Sequence, residues 1–302
     1  MDPLSSDFPY KIEENVIGIT QLNTIMLQSL LTGVYTVVYG ATAYLYLSKR
    51  PQTVAHRAVL AAVTVLYVFS FFNLVVQWIG IDHNIITSGE TQNSIFQASL
   101  TIPQWTRVGL GLISNISIVV ADMLLVWRCY GMWGNSWKVI TVVVALLVIE
   151  SALSITDLVF LWMTPEINTA QGQARINYIA GATLLSSLCT TLYATILIGY
   201  KIYSSTRDIS RSRNRYMRIL TIVIETSAIY SIILIVVALC SVVPQLSDVT
   251  SPLIALETYA TVAENVLGIV PTAMVLRLVL ASHRANMSSH ASLNQINDAA
   301  SG

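Results

Sequence analysis

The chain has 302 residues, of which 54% are hydrophobic and only 11% are charged, and its formal net charge is +0. A soluble domain carries about 25% charged residues, so the composition excludes an ordinary soluble protein, and we expect no nucleic-acid partner. Charge inside hydrocarbon is costly, and its shortage is what a lipid bilayer demands. The three cysteines give no disulfide framework and are expected to be small core residues; they are Cys129, Cys189 and Cys240.

Seven apolar stretches are each long enough to cross a bilayer as a helix, which needs about 20 residues. Helices are expected because an open sheet leaves backbone groups unpaired in lipid. The sequence therefore predicts an all-α polytopic membrane protein. An extracellular segment, 1–21, precedes a seven-transmembrane-helix bundle, 22–281, and a disordered cytoplasmic tail, 282–302, follows it. The predicted spans are 22–48, 58–81, 107–128, 139–163, 177–202, 218–243 and 253–280.

Basic residues lie almost wholly in every second gap between these spans. Thirteen of the sixteen Lys and Arg residues follow the first, third, fifth or seventh span. Because the side rich in Lys and Arg is cytoplasmic, the N-terminus is predicted outside and the C-terminus inside. We expect a multi-pass protein of the plasma membrane, since no retention signal occurs.

The gap between the fifth and sixth spans is the most basic part of the chain. It is a candidate surface for a cytoplasmic signalling protein or for anionic lipid. The alternative is that these charges only set the topology. The residues are Lys201, Arg207, Arg211, Arg213, Arg215 and Arg218.

Six acidic residues fall within the predicted spans, and no Lys, Arg or His lies at mid-depth. A buried carboxylate without a basic partner takes up a proton or recruits a cation, so intramembrane acids indicate a functional site. The alternative is interhelical hydrogen bonding, about 0.6 kcal/mol per bond. Glu264 is the first choice because it lies at mid-depth before Pro271, which kinks a helix. The candidate ligand, cation or proton site comprises Glu264, Glu150, Asp157, Glu257, Asp122, Asn115 and Asn265.

Helical spacing groups these acids with other polar residues on single helix faces. Each such face is predicted to point into the bundle, where together they line a polar core or a water-filled cavity. The faces are Gln28, Thr32, Tyr35 and Tyr39; Ser70, Asn73 and Gln77; Asn115 and Asp122; Glu150, Ser154 and Asp157; and Glu257, Thr261, Glu264 and Gly268.

An arginine near the end of the third span lies at the level of two of these acids. Arg128 is within reach of Glu225 or Asp122, and such a pair would hold the inner ends of the helices together. We interpret this as a candidate conformational latch formed by Arg128 and Glu225.

Seven spans with an outward N-terminus resemble the architecture of G-protein-coupled receptors. Only Arg128 and Tyr130 correspond to the Asp-Arg-Tyr motif of the largest receptor class, and the Asn-Pro-x-x-Tyr signature of the seventh span is absent. The stretch from Asp122 to Lys138 resembles an uncharacterised family of seven-transmembrane proteins in mushroom-forming fungi. There a Trp/Tyr-Arg-Cys-Tyr segment ends the third helix and a short Trp-containing loop follows. This resemblance implies a fungal integral membrane protein and supplies no activity.

The chain lacks the residues that other seven-span proteins use for their known chemistry. The last span has no Lys for a retinal Schiff base, and all four His residues lie in loops or the tail. No phosphate-binding loop or nucleophile elbow occurs. We therefore predict that the chain is not an enzyme and carries no cofactor or metal.

Two functions remain open from the sequence. The first is a receptor-like sensor that binds an unknown small ligand in a polar cavity and signals to a cytoplasmic partner. The second is a proton- or cation-coupled transporter or channel that uses the intramembrane carboxylates. A cavity closed toward the cytosol favours the sensor, and one crossing the midplane favours transport.

Overall fold

The structure, a computed structural model, describes residues 22–48, 54–88, 104–134, 137–163, 170–207, 213–243, 254–265, 268–277 and 279–280. Almost all of these residues are helical and none is in a strand, which confirms the all-α prediction. The predicted termini, 1–21 and 282–302, lie outside the described residues. The helices are α1 (Thr24–Ser48), α2 (Val54–Ser88), α3 (Gln104–Met132), α4 (Trp137–Met163), α5 (Ala170–Arg207), α6 (Arg213–Val242), α7 (Ile254–Asn265) and α8 (Ile269–Arg277).

Prolines stand next to five of the helix boundaries. Pro51, Pro103 and Pro252 stand just before helix starts, and Pro165 and Pro244 stand just after helix ends. Proline lacks the N–H that a helix interior needs, so helices begin after it or stop before it. Pro271 is the exception, within α8, and α7 and α8 are bent by 47° relative to each other.

Five helices are long and apolar enough to cross a membrane, and the bent α7–α8 pair raises the number to six. The apolar part of α6, Ser227–Val242, is shorter than these. Among the described residues, therefore, five or six candidate spans occur, and the seventh span and the orientation of the termini stay predictions.

The helices form a closed ring. Each contacts its neighbours in chain order from α1 to α7, α7 also contacts α1, and α3 additionally contacts α5. Gln104 Nε2 at the start of α3 donates to Trp162 O near the end of α4, at 2.7 Å. These two helices therefore run antiparallel, and Asp157 lies toward one end of the bundle while Arg128 lies toward the other.

Large apolar side chains lie exposed on the outside of the bundle, and several polar side chains are buried inside it. Met26, Val37 and Met163 are 70%, 73% and 73% exposed, whereas Gln28 and Glu150 are fully buried. An apolar exterior around a polar interior suits lipid, where helices gain little from burying apolar groups. The chain is thus a multi-pass membrane protein by the criterion of its apolar helices.

Tyrosine side chains contact each other between α1 and α2, and one of them also contacts α8. The rings of Tyr39 and Tyr67 stack with centroids 4.3 Å apart, and Tyr35 meets Tyr67 edge to face at 5.5 Å. The Tyr35 hydroxyl also lies 3.2 Å from Thr272 Oγ1 on α8. Gly268 lies against the same hydroxyl, since a Cβ there would be 2.8 Å from it.

Two apolar clusters fill the end of the bundle that holds Arg128. One packs α2 and α3 against α8 through Val63, Leu66 and Val275. The other, which we name the apolar seal, joins α3, α4, α5 and α8. It consists of Val126, Cys129, Ile140, Val143, Ala194, Ile198 and Met274.

Candidate functional site

Two carboxyl groups connect α3 to α4 and α7 at one level of the bundle. Asn115 Nδ2 donates to Asp157 Oδ2 at 3.0 Å and to Gly111 O at 3.0 Å. Ser114 Oγ donates to Glu264 Oε1 at 3.3 Å. Asp157 Oδ1 is buried and has no hydrogen-bond partner among the described residues. We name these four side chains, from Ser114, Asn115, Asp157 and Glu264, the Glu264 layer.

A second set of polar groups lies two helical turns further along α3. Ser187 Oγ donates to Asp122 Oδ2 at 2.5 Å, and Thr191 Oγ1 donates to Asp122 Oδ1 at 2.9 Å. Glu150 on α4 faces Asp122, and its Oε2 lies 3.4 Å from Thr190 Oγ1, whose nearer acceptor is Ser186 O at 3.0 Å. These five residues form the Asp122 layer. Two ionised carboxylates in contact repel each other, so this layer is suited to hold a proton or a cation.

Tyr230 on α6 links the two layers. It is 3% exposed; its hydroxyl lies near Ser187 but makes no hydrogen bond of good geometry in the part of the chain that the structure describes. Asp122, Glu150 and Glu264 all lie within electrostatic range of it. A phenol that can both donate and accept thus lies within electrostatic range of all three acids.

Beyond the Asp122 layer, toward the Arg128 end, the inward-facing residues of α3, α4 and α5 become apolar. On α3 the inward residues change from Asn115 and Asp122 to Val126 and Cys129. Seven residues of helix rise about 10 Å, so the Glu264 layer, the Asp122 layer and the far side of the apolar seal are spaced roughly equally. On α3, α4 and α5 the inward residues are therefore polar toward the Asp157 end and apolar toward the Arg128 end.

A cavity of about 20 Å³ lies beside the Glu264 layer, between α2, α3, α6 and α7. This volume admits one water molecule or a small ion and is too small for an organic ligand. Its polar lining side chains are those of Ser70, Asn73, Ser114, Ser117, Tyr230 and Glu264.

Most of the predicted inward faces do point into the bundle. Asn115, Asp122, Glu150 and Asp157 are buried, and Glu264 is partly buried. The other buried members of these faces are Gln28, Thr32, Tyr35, Ser70, Asn73 and Ser154. Their burial confirms the helical spacing used to group them.

Three predicted positions differ or cannot be placed. The face assigned to the seventh span is wrong at Thr261, which is exposed. The side chains of Glu257 and Asn265 lie outside the described residues, so their site roles stay predictions. Thr261 differs because helical spacing defines which residues share a face but not how much of that face is buried.

The predicted latch does not form with the expected partners. Glu225 is exposed, and it pairs with Arg277, whose Nη1 lies 3.2 Å from Glu225 Oε2. Asp122 accepts hydrogen bonds from two hydroxyls of α5. Arg128 Nη1 is buried with no hydrogen-bond partner among the described residues, and Tyr46 lies close enough to interact with it. The reason is that Arg277 reaches Glu225 from α8.

The partners of Asp122 and Glu150 were not predicted from the sequence. Hydroxyls within a helix commonly bond to carbonyls of their own helix, as Thr195 does to Thr191 O at 2.7 Å. The available signal was spacing, because Ser187, Thr190 and Thr191 share one face. Tyr230 gave no signal, since a single tyrosine in an apolar span is ordinary.

The sequence matches no protein-family model, and no curated protein and no solved structure is significantly similar to it. The resemblance to seven-transmembrane proteins of mushroom-forming fungi therefore stays a prediction. A function for this chain therefore has to be argued from the side chains inside the bundle.

Proposed function

We propose that this chain is a receptor-like membrane sensor whose small ligand enters the polar half of the bundle and does not pass through. The observation that carries the proposal is the change from polar layers to an apolar seal along α3, α4 and α5. Ions crossing a bilayer need polar groups or water along the whole path, and the seal interrupts that path.

Ligand binding would act through the packing of α3. This helix is hydrogen-bonded to three others. Ser114 bonds to Glu264 on α7 and Asn115 to Asp157 on α4. Asp122 accepts from two hydroxyls of α5. A ligand that changes one of these contacts biases the arrangement of helices around α3. The response would reach the Arg128 end, where the basic residues between the fifth and sixth spans offer a surface to a cytoplasmic partner.

A proton- or cation-coupled transporter is the second candidate. The observation in its favour is the pair of acidic layers about 10 Å apart, linked by Tyr230. Such a transporter requires a second conformation in which the apolar seal opens.

Flux and conformational change in the same preparation separate the two. Purified protein is reconstituted into vesicles, and pH and sodium gradients are imposed while flux is followed with entrapped dyes. The sensor predicts no flux above empty vesicles, together with altered hydrogen exchange at the Arg128 end of α3 after a pH step or added NaCl. Sustained flux that Glu264→Gln abolishes and Glu225→Gln preserves would establish the transporter instead.

A further inference from the structure

The cavity beside Glu264 contains more polar groups than the protein itself satisfies. Ser70 Oγ and the Tyr230 hydroxyl both line it, and both are buried without a hydrogen-bond partner among the described residues. Their residues are 4% and 3% exposed. Leaving a buried polar group unsatisfied is costly, so two of them around one cavity indicate an occupant.

The cavity offers a single charge. Glu264 contributes one carboxylate, whose Oε1 accepts from Ser114 Oγ, and the cavity lining includes no Lys, Arg or His. Asp157 in the same layer accepts a hydrogen bond from Asn115 and is not among the residues that line the cavity. An uncompensated carboxylate inside a membrane bundle is costly, and a cation in the cavity would offset that cost.

The lining atoms also define the kind of cation. Hydroxyl, amide and carboxylate oxygens are hard ligands, which prefer alkali and alkaline-earth ions over transition metals. Calcium takes six to eight oxygens, usually with several carboxylates, and magnesium keeps most of its water. One carboxylate neutralises a monovalent ion and leaves a divalent one with excess charge.

Ser117 adds an oxygen whose proton is already used in another hydrogen bond. Its hydroxyl donates to Ile113 O at 2.7 Å, so its lone pairs stay available to a cation. A water molecule would satisfy Ser70 and Tyr230 equally well, but it would leave an ionised Glu264 uncompensated; protonation of Glu264 therefore competes with the cation.

We propose that the cavity formed by Glu264, Ser70, Ser114, Ser117 and Tyr230 binds one sodium ion. The small cavity favours sodium over the larger potassium ion. This inference deepens the proposed sensor by naming its ligand, and it rests on that proposal only for the conformational consequence of binding. Bound sodium bridges α2, α3, α6 and α7 and fastens α3 to its neighbours.

Thermal unfolding of the full chain in detergent tests the site directly. NaCl, KCl and choline chloride are compared at equal ionic strength. Sodium is expected to raise Tm with saturation, because a ligand that binds only the folded state stabilises it. Choline is expected to have no such effect, and potassium a weaker one.

Variants locate the effect. Glu264→Gln keeps the size of the side chain and is expected to remove the sodium-dependent rise in Tm. Ser70→Ala removes one ligand and is expected to raise the half-saturating sodium concentration by about tenfold. Glu225→Gln changes an exposed acid at the other end of the bundle and should leave the sodium response intact. If Glu264→Gln does not fold, Ser70→Ala and Ser114→Ala carry the test.

The outcomes are distinct. Equal shifts with choline, or an unchanged sodium response in Glu264→Gln and Ser70→Ala, would overturn the sodium site. Sodium binding without altered hydrogen exchange at the Arg128 end would retain the site and remove the sensor. A conformational response to pH that ignores sodium would retain the sensor and remove the site.

Discussion

The Asp122 layer and the apolar seal occupy successive levels of the same three helices, but they hold them together by different means. At the Asp122 layer, α5 is joined to α3 by two hydroxyl-to-carboxyl hydrogen bonds. At the seal, the same helices pack through Val143, Ala194 and Ile198, all fully or almost fully buried.

This difference separates two functions of one helix bundle. Hydrogen bonds in the polar half can exchange partners with a proton or an ion, so the packing there can respond to a ligand. Close-packed apolar side chains offer no such partner and tolerate little change in volume. Under the proposed function, recognition and closure would take place at different levels of the bundle.

Asp122→Leu should give the largest loss of stability. It removes the acceptor of both Ser187 and Thr191, and leaving buried donors unsatisfied costs about 2–3 kcal/mol. Denaturant titration in mixed micelles measures the change. Asp122→Asn keeps an acceptor oxygen and should cost clearly less. Equal losses in the two variants would mean that the hydrogen bonds to α5 contribute little.

Val143→Asn should weaken the seal and make it permeable. A buried amide without partners costs about 1–3 kcal/mol, and it attracts water into an apolar region. We expect proton leakage in vesicles that the wild type does not show. Val142→Asn, which places the amide on the exposed face of the same helix, is the control and should not leak. A tight Val143→Asn protein would show that the seal lies elsewhere.

Gly268→Ala should destabilise the junction of α7 and α8 with α1. The added Cβ would lie 2.8 Å from the Tyr35 hydroxyl and 3.2 Å from Leu66 Cβ, and overpacking of this kind costs about 1–3 kcal/mol. In Gly268→Ala/Tyr35→Phe the hydroxyl is gone, so part of the loss in Tm should be recovered. The single variant Tyr35→Phe measures the loss of the Thr272 contact alone. Additive losses would contradict the close approach.

Charge substitutions at the Arg128 end should have the smallest effect. The Glu225–Arg277 pair is about half exposed on both sides, and such pairs contribute about 0–1 kcal/mol. A double-mutant cycle of Glu225→Gln with Arg277→Gln should give a small, salt-dependent coupling. The cycle of Glu225→Gln with Arg128→Gln should give none, whereas a clear coupling would restore the predicted latch.

The sequence by itself determined the membrane class, the helices and most of their inward faces. Lipid forces each span to satisfy its backbone internally, and a period of 3.6 residues then aligns Glu150 with Asp157 and Asn115 with Asp122. These features depend only on neighbours along the chain.

The tertiary structure decided which polar groups meet. It placed Ser187 and Thr191 against Asp122, gave Glu225 to Arg277 instead of Arg128, and set Tyr230 within electrostatic range of the acids. These contacts depend on the rotation and the relative height of separate helices. Packing among residues far apart in the chain sets both quantities, and no local spacing rule contains them.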